Sequence, residues 1–342
     1  MYKNPYEQLS GKITAPKITK AGFQELQFDT GQIKLNYVAG PDNGPPLVLI
    51  PAQMGMWESY QKVMAPLSKK FQVYVVDIRG HGKSSWTPGD YSWDTVGSDM
   101  RAFLENVVKQ KALIAGNSSG GIIALWCAAN LPHLVSAIVL EDAPVFSAEM
   151  PRFKDQDRFV YNGLKKLVDN IGDPENRDLA TYFNGMEMPV SETRVKRVPP
   201  QFIRYLSKKI QKFEDAHPGQ PIETGFPSTL RLLLKSLSMF DPDFARAFVD
   251  GRFYEGIDHS AALRRLQCPI LVLHADWHRY PDYGLVGAMD DRDAERILEL
   301  APHACYKKIH ANHVIHAFKP KQYIAAITEF AAEIQLLPKL EK

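Results

Sequence analysis

A serine hydroxyl set among small residues stands out in Gly116-Asn117-Ser118-Ser119-Gly120. In the register G-x-S-x-G, Ser118 can act as a nucleophile toward a carbonyl, forming an acyl-enzyme, provided a base takes its proton and dipoles receive the oxyanion. The steric reason for the glycines is direct. Leu113-Ile114-Ala115 reads as the end of a strand and Ile122-Ile123-Ala124-Leu125-Trp126 as the opening of a helix, so the chain must reverse within five residues. Glycines two before and two after the tip let the backbone pass its neighbours. Choosing Ser119 as nucleophile would require glycine at 117, which is Asn, although Gly121 satisfies the other half. The following helix turns its positive end and free amides toward whatever Ser118 attacks, making the Ser119 N–H the expected first oxyanion donor. Taken alone, five such residues could equally be a glycine-rich turn.

The surrounding elements favour the chemical reading. Strands are expected at Gln24–Phe28 and Lys34–Val38 as an antiparallel pair, then at Leu47–Ile50, Val73–Val76, Ala112–Ala115 and Ala137–Leu140 as buried runs. Between them fall helical patterns at Trp57–Lys69, Trp93–Val108 and Ser119–Asn130. After Pro144 the pattern changes to charged helices punctuated by Pro and Gly, with no buried strand before Pro269. Alternation then resumes with a strand Ile270–His274, a helix Asp291–Leu300, a strand Cys305–Ile309 and a closing helix Gln322–Ile334. The fold class is therefore α/β, a mostly parallel sheet flanked by helices, with a core over 1–145 and 262–342 and an inserted helical lid over 146–261.

Bulk properties narrow the partners. The 342 residues are 45% apolar, ample for a full core, and 41 basic against 39 acidic side chains leave a charge of only +2. A nucleic-acid partner is not expected. Cys127, Cys268 and Cys305 lie far apart without CxxC spacing, which argues against a zinc site and for a reducing, cytoplasmic setting. A polar N-terminal stretch without an apolar core, and the absence of any apolar run of about 18 residues, argue against secretion and membrane insertion.

With the turn, the alternation and three further motifs in hand, the chain resembles the α/β-hydrolase superfamily over about 23–145 and 262–334. Leu49-Ile50-Pro51-Ala52-Gln53-Met54-Gly55-Met56-Trp57 resembles its oxyanion loop, Asp77-Ile78-Arg79-Gly80-His81-Gly82-Lys83-Ser84 its Asp-x-Arg-Gly-His-Gly-x-Ser segment, and Ala311-Asn312-His313-Val314-Ile315-His316 the segment bearing its late histidine. Pro51-Ala52 replaces the usual His-Gly, so the resemblance implies Gln53 as the second oxyanion donor. It implies structural roles for Arg79 and His81. Of ten histidines, His313 falls after the last expected strand in the order serine, acid, histidine and becomes the general base, with His310 and His316 as structural flankers.

The acid has two possible places in this fold. In the common one, after Ile270–His274, Ala275 replaces the usual glycine and position 278 is His, leaving Asp276 out of register. The other is the end of Ala137–Leu140, where Glu141 and Asp142 follow; Asp142 lies 24 residues after Ser118, the spacing of branches that carry their acid there. Asp142 is favoured over Asp276, with Glu141 third.

These residues imply a serine hydrolase acting on a carboxylic ester or lactone of a small hydrophobic substrate, with no metal and no cofactor. Met54 and Trp57, with aromatic and methionine side chains of the lid, would line an apolar pocket. Arg194, Lys196, Arg197, Lys208 and Lys209 read as a solvated face and not a phosphate site. A carbon–carbon bond hydrolase on the same triad, or a slow-turnover ligand receptor, would share these features. The sequence is silent on oligomeric state.

Overall fold

The computed structural model describes residues 2–9, 13–173, 177–254 and 257–338. Eight strands form one sheet: β1 (Gln24–Asp29), β2 (Lys34–Ala39), β3 (Pro46–Ile50), β4 (Gln72–Val76), β5 (Ala112–Asn117), β6 (Val135–Glu141), β9 (Ile270–His274) and β12 (Ala304–Lys308). Their order is β1-β2-β4-β3-β5-β6-β9-β12. The pairs β1/β2 and β2/β4 are antiparallel and the remaining neighbours are parallel. The strand β5, which leads into Ser118, therefore lies at the middle of the sheet, covered on both faces.

Period-two alternation divides the central strands between two cores. Val48, Ile50, Ile114, Ile138 and Leu140 face one cluster, while Leu47, Leu49, Leu113, Ala115, Ala137 and Val139 face the other. Helices Trp93–Phe103 and Ser119–Asn130 cover the first face, and helices Gln61–Leu67 and Pro320–Glu333 the second. Each fully buried Val, Leu or Ile contributes about 1.5–3 kcal/mol, so a central strand such as Pro46–Ile50, buried at every position, is a rigid base for the loop that leaves it.

Local departures from the expected elements have physical causes. The helix expected over Trp57–Lys69 begins as a 3₁₀ turn at Trp57–Tyr60 and ends at Leu67, after Pro66. The one expected over Trp93–Val108 is α-helical to Phe103, widens to a π turn at Leu104–Val108, and stops at Lys109, whose φ is +59°. The closing helix opens at Pro320, a residue preorganised for a first turn.

Between β6 and β9 the chain forms helices Arg158–Ile171, Pro200–Ala216, Ser228–Ser238 and Pro242–Asp250 with several shorter turns. It also holds a hairpin, β7 (Glu187–Ser191) and β8 (Arg194–Arg197), which the sequence reading missed because neither strand is buried along its length. A further short hairpin, β10 (His278–Tyr280) with β11 (Gly284–Val286), follows β9. Asp241 ties the segment between β6 and β9 to the loop after β4, accepting from Tyr2 Oη at 2.6 Å and Tyr91 Oη at 2.5 Å while its N–H donates to the Gly80 carbonyl at 2.8 Å. Lys235 reaches Glu58 at 3.1 Å. Among the described residues no helix is long and apolar enough to cross a membrane.

Candidate active site

At the end of β5 the backbone of Ser118 adopts φ +55° and ψ −123°, and the helix Ser119–Asn130 starts at the next residue. Such a conformation is rare for a residue with a side chain, and it is held by the close packing of the neighbouring glycines. A Cβ on Gly116 would lie 2.0 Å from the Gly120 carbonyl oxygen, one on Gly120 2.3 Å from that of Ile50, and one on Gly121 2.6 Å from Ala143 Cβ. The glycines thus seat the turn between the ends of β3 and β6. The strain falls on Ser118 and not on Ser119, which is the first residue of the helix.

Three histidines spaced three residues apart each take one of the three candidate carboxylates. His310 Nδ1 meets Asp276 Oδ1 at 2.9 Å, His313 Nδ1 meets Asp142 Oδ2 at 2.7 Å, and His316 Nδ1 meets both oxygens of Glu141 at 2.9 Å. The pairs differ in solvent access: 87% and 46% for His310 and Asp276, 32% and 1% for His313 and Asp142, 1% and 0% for His316 and Glu141. Of the two acids left open by the sequence, the structure brings Asp142 to His313 and turns Asp276 to the surface with His310.

Asp142 is fixed before His313 reaches it. Its own backbone has φ +43°, its N–H donates to the Leu273 carbonyl at 2.7 Å, and its second oxygen accepts the Ala275 N–H at 3.1 Å. Ser118 and His313 are joined through Asn117: the Ser118 N–H and the Asn117 amide donate to the Glu141 carbonyl at 2.9 and 3.2 Å, and the same amide donates to the His313 carbonyl at 3.0 Å. Burial disfavours the imidazolium of His313, but the hydrogen bond and charge of Asp142, backed by the charge of Glu141, outweigh it and raise its pKa above the ordinary value.

Behind this pair, His316 stacks on Tyr60 with ring centroids 3.9 Å apart, and both its backbone N–H and Nδ1 face Glu141. Buried and joined to the end of β6, it anchors the segment that carries His313. The role of Glu141 is thus set by His316, a contact the i, i+3 spacing of the histidines could have suggested.

The loop after β3, expected to supply an oxyanion donor, differs from expectation at two positions. The Gln53 N–H, expected to face the substrate, donates to Ser119 Oγ at 2.8 Å. Trp57, expected in the pocket, is 4% exposed and packs in the cluster on the second face, its N–H donating to Asp77 at 2.7 Å and its indole to Glu25 at 3.2 Å. Its apolar bulk is better buried under the loop than above it, within the second core. Met54 is half-buried against the first core at φ +63°, its N–H donating to His81 Nε2 at 3.2 Å. The other ring nitrogen of His81 donates to the Arg79 carbonyl at 3.1 Å. Burial drives the pKa of His81 down to about 4, keeping it neutral so that Nε2 can accept. Arg79 grips Asp99 through two bonds of 2.7 and 2.9 Å. His81 and Arg79 are thus structural supports of the oxyanion loop. Among the described residues no group of three or more His, Cys, Asp or Glu side chains is arranged to hold a metal ion.

A match to the model of the alpha/beta hydrolase fold covers residues 45–320. The chain belongs to the α/β-hydrolase fold family. This hydrolase-fold chain is similar to 3-oxoadipate enol-lactonase 2 of Acinetobacter baylyi, with 30% identity over 37% of its own length and 48% of the relative. It therefore spans about half the length of that curated relative, or less in others. Among solved structures, the enol-lactonase of Burkholderia xenovorans superposes with a TM-score of 0.60 at 15% identity, covering 90% of this chain and 100% of that one. An N-formylmaleamic acid deformylase of Pseudomonas putida gives 0.61 at 19% identity, covering 89% and 99%.

Proposed function

We propose that this α/β-hydrolase-fold chain is a serine hydrolase that opens a carboxylic ester or lactone of a small hydrophobic substrate. The observation that carries the reading is the 2.7 Å contact of His313 with the buried Asp142, beside the strained backbone of Ser118. Ser118 Oγ attacks the carbonyl carbon while His313 Nε2 accepts its proton, and Asp142 holds Nδ1–H toward itself and stabilises the imidazolium. The tetrahedral oxyanion is received by the Ser119 N–H and by the Gln53 N–H once Ser119 Oγ turns away from it. Collapse breaks the bond to the leaving oxygen, which takes the proton from His313; water then attacks the acyl-enzyme by the same route in reverse order. In a lactone the leaving oxygen stays tethered to the acyl group. No step requires a metal or organic cofactor.

The insertion at 146–261 serves as the lid of this site, with the core at 1–145 and 262–342. Its link through Asp241 to the carbonyl of Gly80, the residue before His81, whose Nε2 accepts from the Met54 N–H, supports that role. Met54 then belongs to the pocket wall. Similarity to an enol-lactonase supports a cyclic ester as one substrate. The experiment is fluorophosphonate labelling followed by a panel of short-chain esters and lactones. Labelling at Ser118 that disappears in Ser118→Ala, with turnover of at least one ester or lactone, is expected. Turnover surviving Ser118→Ala, or an unlabelled, inactive folded protein, would overturn the assignment.

A further inference from the structure

We propose that the outer face of helix Pro200–Ala216, with the hairpin that leads into it, is a docking surface for an anionic lipid bilayer. Residues 193–213 carry seven basic side chains and no acidic one, whereas the rest of the chain has a net charge of −5. The near-neutral total conceals this separation. On the helix, Arg204, Lys208 and Lys212 follow one another at i, i+4 and i+8, a single stripe, and Lys209 lies beside it with Tyr205. All five are exposed, while Leu206 and Ile210 on the opposite side are buried. On the hairpin, Arg194 and Lys196 are also exposed.

Elsewhere this protein pairs its exposed and half-buried cations readily, as in Arg152 with Asp293, Arg279 with Asp290 or Lys307 with Glu329. Among the described residues, none of the four helix cations or of Arg194 and Lys196 has a carboxylate within 4.0 Å; only Arg197 is paired, to Glu187. Like charges gathered without partners repel one another, so this face lacks a source of stability within the chain and is complementary to an external anion. Asp215, in the last turn, is the one carboxylate on the same arc, and it is engaged by Gln211 at 2.9 Å.

Exposed apolar groups accompany the charge. Met188 on β7 and Tyr205 on the helix are each 49% exposed, and Lys209 Nζ lies 5.6 Å from the Tyr205 ring centre. Cations with an aromatic and a methionine among them suit a headgroup layer, where charge meets phosphate and the apolar groups enter the acyl boundary. A soluble polyanion without bases would use the charge and leave Met188 and Tyr205 unused, and one with bases could stack on Tyr205 but has no use for Met188.

The test is co-sedimentation of the full chain with phosphatidylcholine vesicles, with and without about 30 mol% of the anionic lipid phosphatidylglycerol, at low and high salt. Binding is expected only with the anionic lipid and is expected to fall with salt. Each removed cation should weaken it about fivefold, and Arg204→Ser with Lys208→Ser and Lys212→Ser together about a hundredfold. Met188→Ser with Tyr205→Ser should weaken vesicle binding severalfold while leaving binding to heparin, a polyanion without bases, unchanged. Far-ultraviolet circular dichroism checks that the variants fold. No binding to anionic vesicles at low salt, equal binding to neutral ones, or an oligonucleotide bound more tightly than the vesicles would overturn the proposal.

Discussion

Replacing Asp142 by Asn tests the proposed chemistry at the point where the sequence left the choice open. The carboxylate accepts two hydrogen bonds, from His313 Nδ1 at 2.7 Å and from the Ala275 N–H at 3.1 Å. An amide has one acceptor oxygen and cannot serve both. If its NH₂ faces His313, the imidazole must present a lone pair at Nδ1 and carry its proton on Nε2, where it can no longer accept from Ser118. If the NH₂ is turned toward Ala275, two donors face each other in a site with Asp142 only 1% exposed, at a stability cost of about 1–3 kcal/mol. Even then the imidazolium loses its counter-charge. A wrong tautomer lowers turnover about 10⁴-fold in the serine protease case, about 5.5 kcal/mol of transition-state free energy. Asp142→Asn should therefore reduce kcat for an activated ester by three to four orders of magnitude (roughly the same range), and Asp276→Asn by less than about twofold, since that pair is exposed and screened. Thermal denaturation of both variants separates lost chemistry from lost fold. Full activity in Asp142→Asn together with an inactive, folded Asp276→Asn would refute the reasoning.

Other perturbations have equally definite outcomes. Because the pKa of His313 is raised, it remains protonated to a higher pH, and the acid limb of kcat/KM should lie above the ordinary histidine value of about 6.5; a limb below that value would contradict the geometry. Ser119→Ala frees the Gln53 N–H from its 2.8 Å bond and should leave kcat/KM unchanged or raise it by up to about fivefold, the worth of one neutral hydrogen bond. A tenfold loss would show that the Ser119 hydroxyl is itself a donor. Gly120→Ala places a Cβ 2.3 Å from the Ile50 carbonyl oxygen and should destabilise the fold by about 1–3 kcal/mol or more in urea titration.

The central strands were legible because β3, β5 and β9 are short, largely apolar and buried at every position, and such runs report burial. β7 and β8 were not, since Glu187, Arg194, Lys196 and Arg197 give a half-exposed hairpin no apolar alternation. The tight turn at Ser118 could be read from its glycines because close backbone approach is a local requirement, as the contacts at Gly116 and Gly120 show. Trp57 misled for the opposite reason: residue type does not say on which side of a loop a large apolar side chain lies. The Gln53 bond to Ser119 joins residues 66 positions apart and leaves no trace in the local sequence.

The three histidine–carboxylate pairs sharpen what residue type alone could not. A general base must reach substrate, yet its partner acid must be withdrawn from water to hold one tautomer and act at full strength. His310 with Asp276 meets the first demand and fails the second, both groups lying open to screening. His316 with Glu141 meets the second and fails the first, being buried with Tyr60 stacked over its ring. Only His313 with Asp142 combines a partly open imidazole with a buried carboxylate. Glu141 and Asp142 are adjacent residues at the end of β6, so one strand end supplies both the anchor of the late loop, through His316, and the acid of the proposed site. Moving the acid to this strand makes the position of His313 depend on β6 and the adjoining Asn117 of β5. The Asp276 carboxylate should consequently matter little to the alignment of Ser118 with its base, although the backbone of its loop supports Asp142 through the Ala275 N–H at 3.1 Å.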